Sequence, residues 1–249
     1  MIVTRESRSF LLSAALTRAG LALLRAKAPG GARRWQRENY AGRSVELYAG
    51  PAAALGAAGA VARECPGAGL AVLAAAVCGA YDDVAGDHRR GFRAHLEALR
   101  GGEVTSGAVK LFGISAAGLV AGALMKGRPL DKLLAGVVIA GAAHFVNLVD
   151  VRPGRAAGAV LALGAPGLLR GGAAGLSAAA LGAAAAVLPD DLGERAMLGD
   201  TGAHALGAAL GAAVVAGNGR AGLLAHAVAV VAAAVRGDRV TALARDLRV

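Results

Sequence analysis

The chain has 249 residues, of which 56% are hydrophobic and 18% charged, with a mean hydropathy of +0.54 and a formal net charge of +10. These values lie well away from an ordinary soluble domain. The basic excess could suit nucleic acid, but aromatic residues make up only 3% of the chain and no recognisable binding motif is present, which sets that partner class aside. Ala and Gly carry much of the apolarity and are nearly neutral in transfer to lipid. The number of apolar segments, rather than any one of them, therefore argues for an integral membrane protein over a soluble Ala-rich helical one.

Taken in chain order, the first apolar run extends from Phe10 to Leu24 and is interrupted by Arg18. It predicts either a poor first span or a helix lying in the interface. Arg18 also argues against a cleavable signal peptide. Further apolar runs fall at 45–62, 65–81, 109–125, 131–148, 155–170, 173–188, 203–217 and 220–235. Most are shorter than the ~20 residues of a spanning helix, so their ends should extend into the flanking residues. The expectation is an all-α polytopic membrane bundle of eight to nine transmembrane helices. It forms one integral membrane domain over residues 1–249: an N-terminal helix and basic segment (1–44), the bundle (45–235) and a basic tail (236–249).

Three acidic motifs close or open these runs: Tyr81-Asp82-Asp83, Asn147-Leu148-Val149-Asp150 and Met197-Leu198-Gly199-Asp200-Thr201-Gly202. Carboxylates at the ends of membrane segments are expensive unless they face water, a cation or each other. Alternating the spans puts all three motifs on one side. Seventeen of the 27 Lys and Arg residues then fall on that same side, which the positive-inside rule makes cytoplasmic. Residues 25–44, 82–108, 149–154 and 189–202 are expected to face the cytoplasm, while Arg5 and Arg8 fit poorly with an outside N-terminus. An anionic partner at that surface, either lipid phosphate or the pyrophosphate of a nucleotide-linked substrate, suits the charge.

Adjacent carboxylates such as Asp82 and Asp83 suit a hard divalent cation. Mg²⁺ takes one or two protein carboxylates together with phosphate oxygens and water. A pair of this kind can also simply cap a helix or flank the membrane. Gly199 and Gly202 beside Asp200 could let backbone approach a phosphate. Lys110 and the basic loop Arg89-Arg90-Gly91-Phe92-Arg93 could receive phosphates, although for the arginines a positive-inside loop explains as much. Of the histidines, His144 and His226 lie within spans and read as packed or hydrogen-bonded residues, while His88 and His95 read as surface residues. His204 adjoins the Asp200 motif. Cys65 and Cys78 are too far apart to pair. The pairs Gly118/Gly122 and Gly207/Gly211 would permit close helix packing, or simply reflect how abundant glycine is here.

Together the segments resemble the polyprenyl-phosphate N-acetylhexosamine-1-phosphate transferase superfamily, which includes phospho-N-acetylmuramoyl-pentapeptide transferase and related GlcNAc-1-phosphate transferases. Ala80-Tyr81-Asp82-Asp83 is similar to the family's aspartate pair, and Lys110-Leu111-Phe112-Gly113 to the Lys-Leu-Leu-Gly that follows it. Asn147-Leu148-Val149-Asp150-Val151-Arg152-Pro153-Gly154 resembles the Asn-Leu-x-Asp-Gly-x-Asp-Gly motif, with Pro153 in place of its second aspartate. Leu198-Gly199-Asp200-Thr201-Gly202-Ala203 resembles Met-Gly-Asp-x-Gly-Ser. The family's late His-rich loop has no counterpart after Arg236. The resemblance covers residues 40–217 or so.

The resemblance implies Mg²⁺-dependent transfer of a phospho-sugar from a UDP-sugar to a polyprenyl phosphate at the cytoplasmic face of the plasma membrane, in cell-envelope polysaccharide or peptidoglycan synthesis. It implies that Asp82, Asp83 and Asp200 are catalytic and hold or neighbour the metal. It implies that Lys110, Asn147, Asp150, Gly199 and Gly202 contact substrate, and it is compatible with a homodimer. The competing expectation is a family-derived membrane protein without catalysis that binds lipid-linked intermediates or scaffolds envelope enzymes. A transporter or flippase would need polar residues along a path through spans that are nearly bare of them.

Overall fold

The structure is a computed structural model that describes residues 4–86 and 97–246. Every apolar run of the sequence lies mostly in helix. Helix α1 (Arg5–Lys27) is capped by Thr4, whose hydroxyl accepts from the Ser7 amide at 3.2 Å. A single turn of 3-10 helix (Ala32–Trp35) leads into an antiparallel hairpin of β1 (Gln36–Glu38) and β2 (Ser44–Glu46). Then come α2 (Ala49–Glu64), α3 (Pro66–Ala85), α4 (Ser106–Met125) and α5 (Pro129–Val149). Proline in the first turn starts α3 and α5, where its missing N–H costs nothing. The short α6 (Arg155–Gly164) tightens into a 3-10 turn over Ala165–Leu169 and is followed by α7 (Ala174–Leu192) and α8 (Gly199–Ala216). Last are α9 (Arg220–Val235) and α10 (Gly237–Asp246), bent by 86° from one another.

The described chain is thus nearly all helical, as expected, apart from one small hairpin. By length and apolarity, five helices suffice to cross a membrane: α1, α3, α4, α5 and α7. The bent pair α9 and α10 would make a sixth if it were one span. The larger number expected from sequence depends on α2, α6, α8 and α9, of which α6 has only 10 residues. Helices α2 and α9 have 16 residues each, about 24 Å at 1.5 Å per residue, against a hydrocarbon thickness of ~30 Å. Helix α8 carries Asp200, Thr201 and His204 within its first two turns, which dilutes its apolarity.

Helix α8 is the axis of the bundle. Nearly all its residues are buried, and it packs against α2, α3, α5, α6 and α7. A helix with little but Ala, Gly and Leu on every face can be central because it offers no polar stripe to solvent. Its glycines set the spacing. A Cβ added at Gly207 would lie 2.6 Å from Ala143 Cα, and one at Gly211 would lie 2.8 Å from Ile139 Cα, both on α5. Gly118 and Gly122 on α4 meet α5 in the same way; a Cβ at Gly122 would stand 2.6 Å from the Gly136 nitrogen. Both small-residue pairs therefore sit at real helix crossings.

Helix α1, which the sequence left as either a span or an interfacial helix, lies along α7 and α2 and is long and apolar enough to cross. The charge that interrupted it is compensated. Arg18 Nη1 donates to Asp190 Oδ2 at 2.6 Å on α7.

Replacing Gly207 by Ala should destabilise the protein by about 1–3 kcal/mol through overpacking. Gly158 lies within α6 with open space around it. Gly158→Ala should instead stabilise by up to about 1 kcal/mol, because it restricts the unfolded chain. Thermal or denaturant unfolding in detergent checks both, and equal effects would contradict the packing described.

Candidate functional site

The motifs meet at the end of the bundle where α3 and α5 finish and α4 and α8 begin. The meeting starts with a glycine. A Cβ at Gly79 would lie 2.7 Å from the Thr201 nitrogen, so only glycine lets α3 come this close to the start of α8. One turn later on the same face, Asp83 turns its carboxylate onto that helix start. Asp83 Oδ1 accepts from the Asp200 amide at 3.0 Å, and Oδ2 accepts from the Thr201 amide at 3.0 Å and the Thr201 hydroxyl at 2.5 Å. These amides belong to the orphan donors of the first helical turn, and the negative charge meets the positive end of the helix dipole. Gly199 at this junction has φ +58°, and a Cβ there would lie 3.0 Å from both Asp83 oxygens, so glycine is required twice over.

Asp82 points around the helix to α4. Lys110 Nζ donates to Asp82 Oδ2 at 2.7 Å and also to Asp200 Oδ2. Three distant segments are thereby joined by one ammonium between two carboxylates, all three side chains only partly exposed. His204, fully buried one turn along α8, bonds the Asp200 carbonyl through Nδ1 at 2.8 Å.

The hairpin lies across this end. Arg37 donates to the Asp83 carbonyl at 2.8 Å, Asn39 to Glu194 Oε2 at 2.6 Å and Arg43 to Glu194 Oε1 at 3.0 Å. Met197 N donates to the Glu46 carbonyl at 2.8 Å. Under the hairpin is a cavity of about 230 Å³ whose lining includes Asp150, Asp191, Tyr40, Arg152 and Glu194. The Arg152 guanidinium sits 5.1 Å above the Tyr40 ring. Asp191 accepts from the Gly154 amide at 2.8 Å. Burial, reinforced by the charges of Asp191, Asp200 and Asp83, pushes the Asp150 carboxyl well above the ordinary carboxylate range.

The structure therefore brings Asp82, Asp83, Lys110 and Asp200 together and places Asp150 in a neighbouring acidic cavity. Asn147 is in the last turn of α5, where its carbonyl accepts from the Asp150 amide. Among the described residues its side chain makes no hydrogen bond. Gly202 serves packing, since a Cβ there would lie 2.8 Å from Gly50 Cα on α2. His144 and His226, expected to be packed inside spans, are exposed on α5 and α9. The loop Arg89–Arg93, His88 and His95 fall outside the described residues. Cys65 and Cys78 are both free thiols.

No group of three His, Cys, Asp or Glu among the described residues is arranged to hold a metal ion. Asp83 has its oxygens taken up by α8. Asp82 and Asp200 do converge on one point, where the Lys110 ammonium stands. Two carboxylates fit a divalent cation whose remaining ligands are phosphate oxygens and water.

Sequence reasoning passed over Asp190 and Asp191. The signal was there: a second aspartate pair, Pro189-Asp190-Asp191, closes an apolar run on the same side as the other motifs. It also missed the hairpin, whose turn is marked by Asn39 accepting from the Ala41 and Arg43 amides and by Gly42 at φ +72°. No protein-family model matches this chain, and no curated protein matches it either.

The raised pKa of Asp150 means that the folded protein holds its proton more tightly than the unfolded chain does. Its contribution is most favourable at low pH and is lost as pH rises from about 4 through the folded-state value. Asp150→Asn should therefore raise the unfolding midpoint at pH 7–8 and have little effect near pH 4. A midpoint that drops at pH 7–8 would show that the ionised carboxylate is stabilised there.

Proposed function

We propose that this chain is a membrane-embedded transferase that moves a phospho-sugar from a UDP-sugar to a polyprenyl phosphate and releases UMP. The observation that carries the reading is the Lys110 ammonium held between Asp82 and Asp200 at the mouth of an otherwise apolar bundle. This is the end where three acidic motifs, read from the sequence as one site, converge. The proposal includes eight to nine spans, with the charge-rich end on the cytoplasmic face of the plasma membrane, where Lys and Arg concentrate.

The chemical problem is anion attacking anion. An oxygen of the lipid phosphate forms a bond to the sugar-linked phosphorus, and the bond from that phosphorus to the bridging oxygen of UMP breaks. Lys110, freed from either carboxylate, is placed to neutralise charge on the phosphates being exchanged. Asp82 and Asp200 would hold Mg²⁺, which would offset the repulsion between the two anions and stabilise the leaving phosphate. Asp83 acts through structure by fixing the start of α8, and hence Asp200. Asn147 and Asp150 stand toward the nucleotide end.

One observation favours a second reading. The Lys110 ammonium is already engaged by both Asp82 and Asp200, as in a lock between helices, and Pro153 occupies a position where the family carries aspartate. A non-catalytic protein binding lipid-linked intermediates would keep this arrangement.

Purified protein with polyprenyl phosphate, Mg²⁺ and UDP-sugars should release UMP. Asp200→Asn and Lys110→Met should each lower turnover on the order of 10²-fold or more. Asp83→Asn should lose turnover and stability together, because it unties the helix cap. Undiminished turnover in Asp200→Asn contradicts the mechanism. No release by wild type with any UDP-sugar gives the lead to the binding protein.

A further inference from the structure

On the α1 side of the same bundle end, three arginines converge on one buried carboxylate. Asp190, near the end of α7, has a side chain only 5% exposed. Its Oδ2 accepts from Arg18 Nη1 at 2.6 Å, and its Oδ1 accepts from Arg25 Nη2 at 3.0 Å and Arg195 Nε at 3.2 Å. Arg25 Nε also donates to Glu46 at 2.8 Å. Arg18 and Arg195 donate further to the carbonyls of Ala186 and Pro189, at 3.2 Å and 2.9 Å.

Three guanidiniums thus face two carboxylates, which leaves one positive charge uncompensated within the cluster. None of the three has used all its nitrogens. The Arg18 and Arg195 side chains are 53% and 58% exposed, so the free donors point outward. They are fixed in direction, because Asp190 holds the inner edge of each fork.

The setting says what meets them. Leu11, Arg18 and Arg25 follow one another at seven-residue spacing and so run down one stripe of α1. Leu11 is exposed on that stripe, and the helix is long and apolar enough to span. An apolar surface that ends in fixed, outward-facing guanidiniums offers an acyl chain above and phosphate donors below. Guanidinium binds phosphate oxygens in a bidentate, charge-assisted manner. At a membrane surface, anionic lipid is the abundant source of such groups.

We propose that Arg18, Arg25 and Arg195, preorganised by Asp190, form a binding site for the phosphate headgroup of an anionic phospholipid. The lipid supplies the missing negative charge and ties α1 to α7. The site is independent of any transferase activity.

The test uses the full chain purified in detergent. The unfolding midpoint is followed as phosphatidylglycerol, phosphatidylcholine or inorganic phosphate is added, and bound lipid is counted by native mass spectrometry. Phosphatidylglycerol should raise the midpoint and stay bound, whereas phosphatidylcholine and inorganic phosphate should not raise it. Arg18→Gln and Arg195→Gln should each weaken the phosphatidylglycerol effect about tenfold or more, as loss of a charge-assisted bond does. Arg63→Gln, at the opposite end of α2, should leave it unchanged. Equal shifts with both lipids, or equal weakening by Arg63→Gln, would overturn the site, and an equal shift with inorganic phosphate would overturn its assignment to lipid. If the cluster variants fail to fold, the wild-type comparison of the two lipids decides alone.

Discussion

The architecture depends on one contact: the Asp83 carboxylate seated on the first turn of α8. A helix start buried in an apolar bundle has donors that water cannot reach, and leaving them unpaired is costly. Here the acceptor comes from a different helix, α3, and it can arrive only because Gly79 has no side chain to hold the two backbones apart. Because the cap is supplied in trans, it fixes helix α8 in rotation and height as well as satisfying it. Everything else at this end is measured from that point: Asp200 toward Lys110, His204 inward, and the Gly199 turn beneath the hairpin.

Charge is handled in the same economical way throughout. Several ionised side chains of the bundle are held by partners from other segments, so these charges act as ties between helices. Lys110 joins α3, α4 and α8. Asp190 collects Arg18 and Arg25 from α1 together with Arg195. At the far end, Arg220 on α9 pairs with Asp131 on α5 at 2.7 Å, and Glu64 on α2 takes both Arg5 and Ser9 from α1. Asp150 is held differently. Burial beside other carboxylates disfavours its charge, so its proton is held more tightly than in the unfolded chain.

Much of this was legible in the sequence. Apolar runs became helices, and the order of the acidic motifs brought Asp82, Asp83 and Asp200 to one end, because alternation along a bundle is a one-dimensional rule. What sequence could not supply was the partner of each charge. The two aspartates of the pair are chemically identical in the sequence, yet Asp83 caps a helix while Asp82 meets Lys110, since neighbours on a helix point about 100° apart. Gly202 read as a place for phosphate to approach and proves to be where α2 meets α8, because the close neighbour, Gly50, is distant in sequence. Arg18 read as a flaw in a span for the same reason: its counter-charge, Asp190, lies 172 residues away. The hairpin was hidden because its first strand fell in a stretch read as a basic segment and its second ran into the apolar run that starts at residue 45.

The measurement that bears most directly on this account is a double-mutant cycle between Asp83→Ala and Thr201→Val, with unfolding free energy as the readout. If the carboxylate grips the start of α8 as described, the two substitutions interact, with a coupling energy of about 1 kcal/mol or more. Effects that simply add would mean that Asp83 does not hold α8, and the site built on that anchor would fall with it.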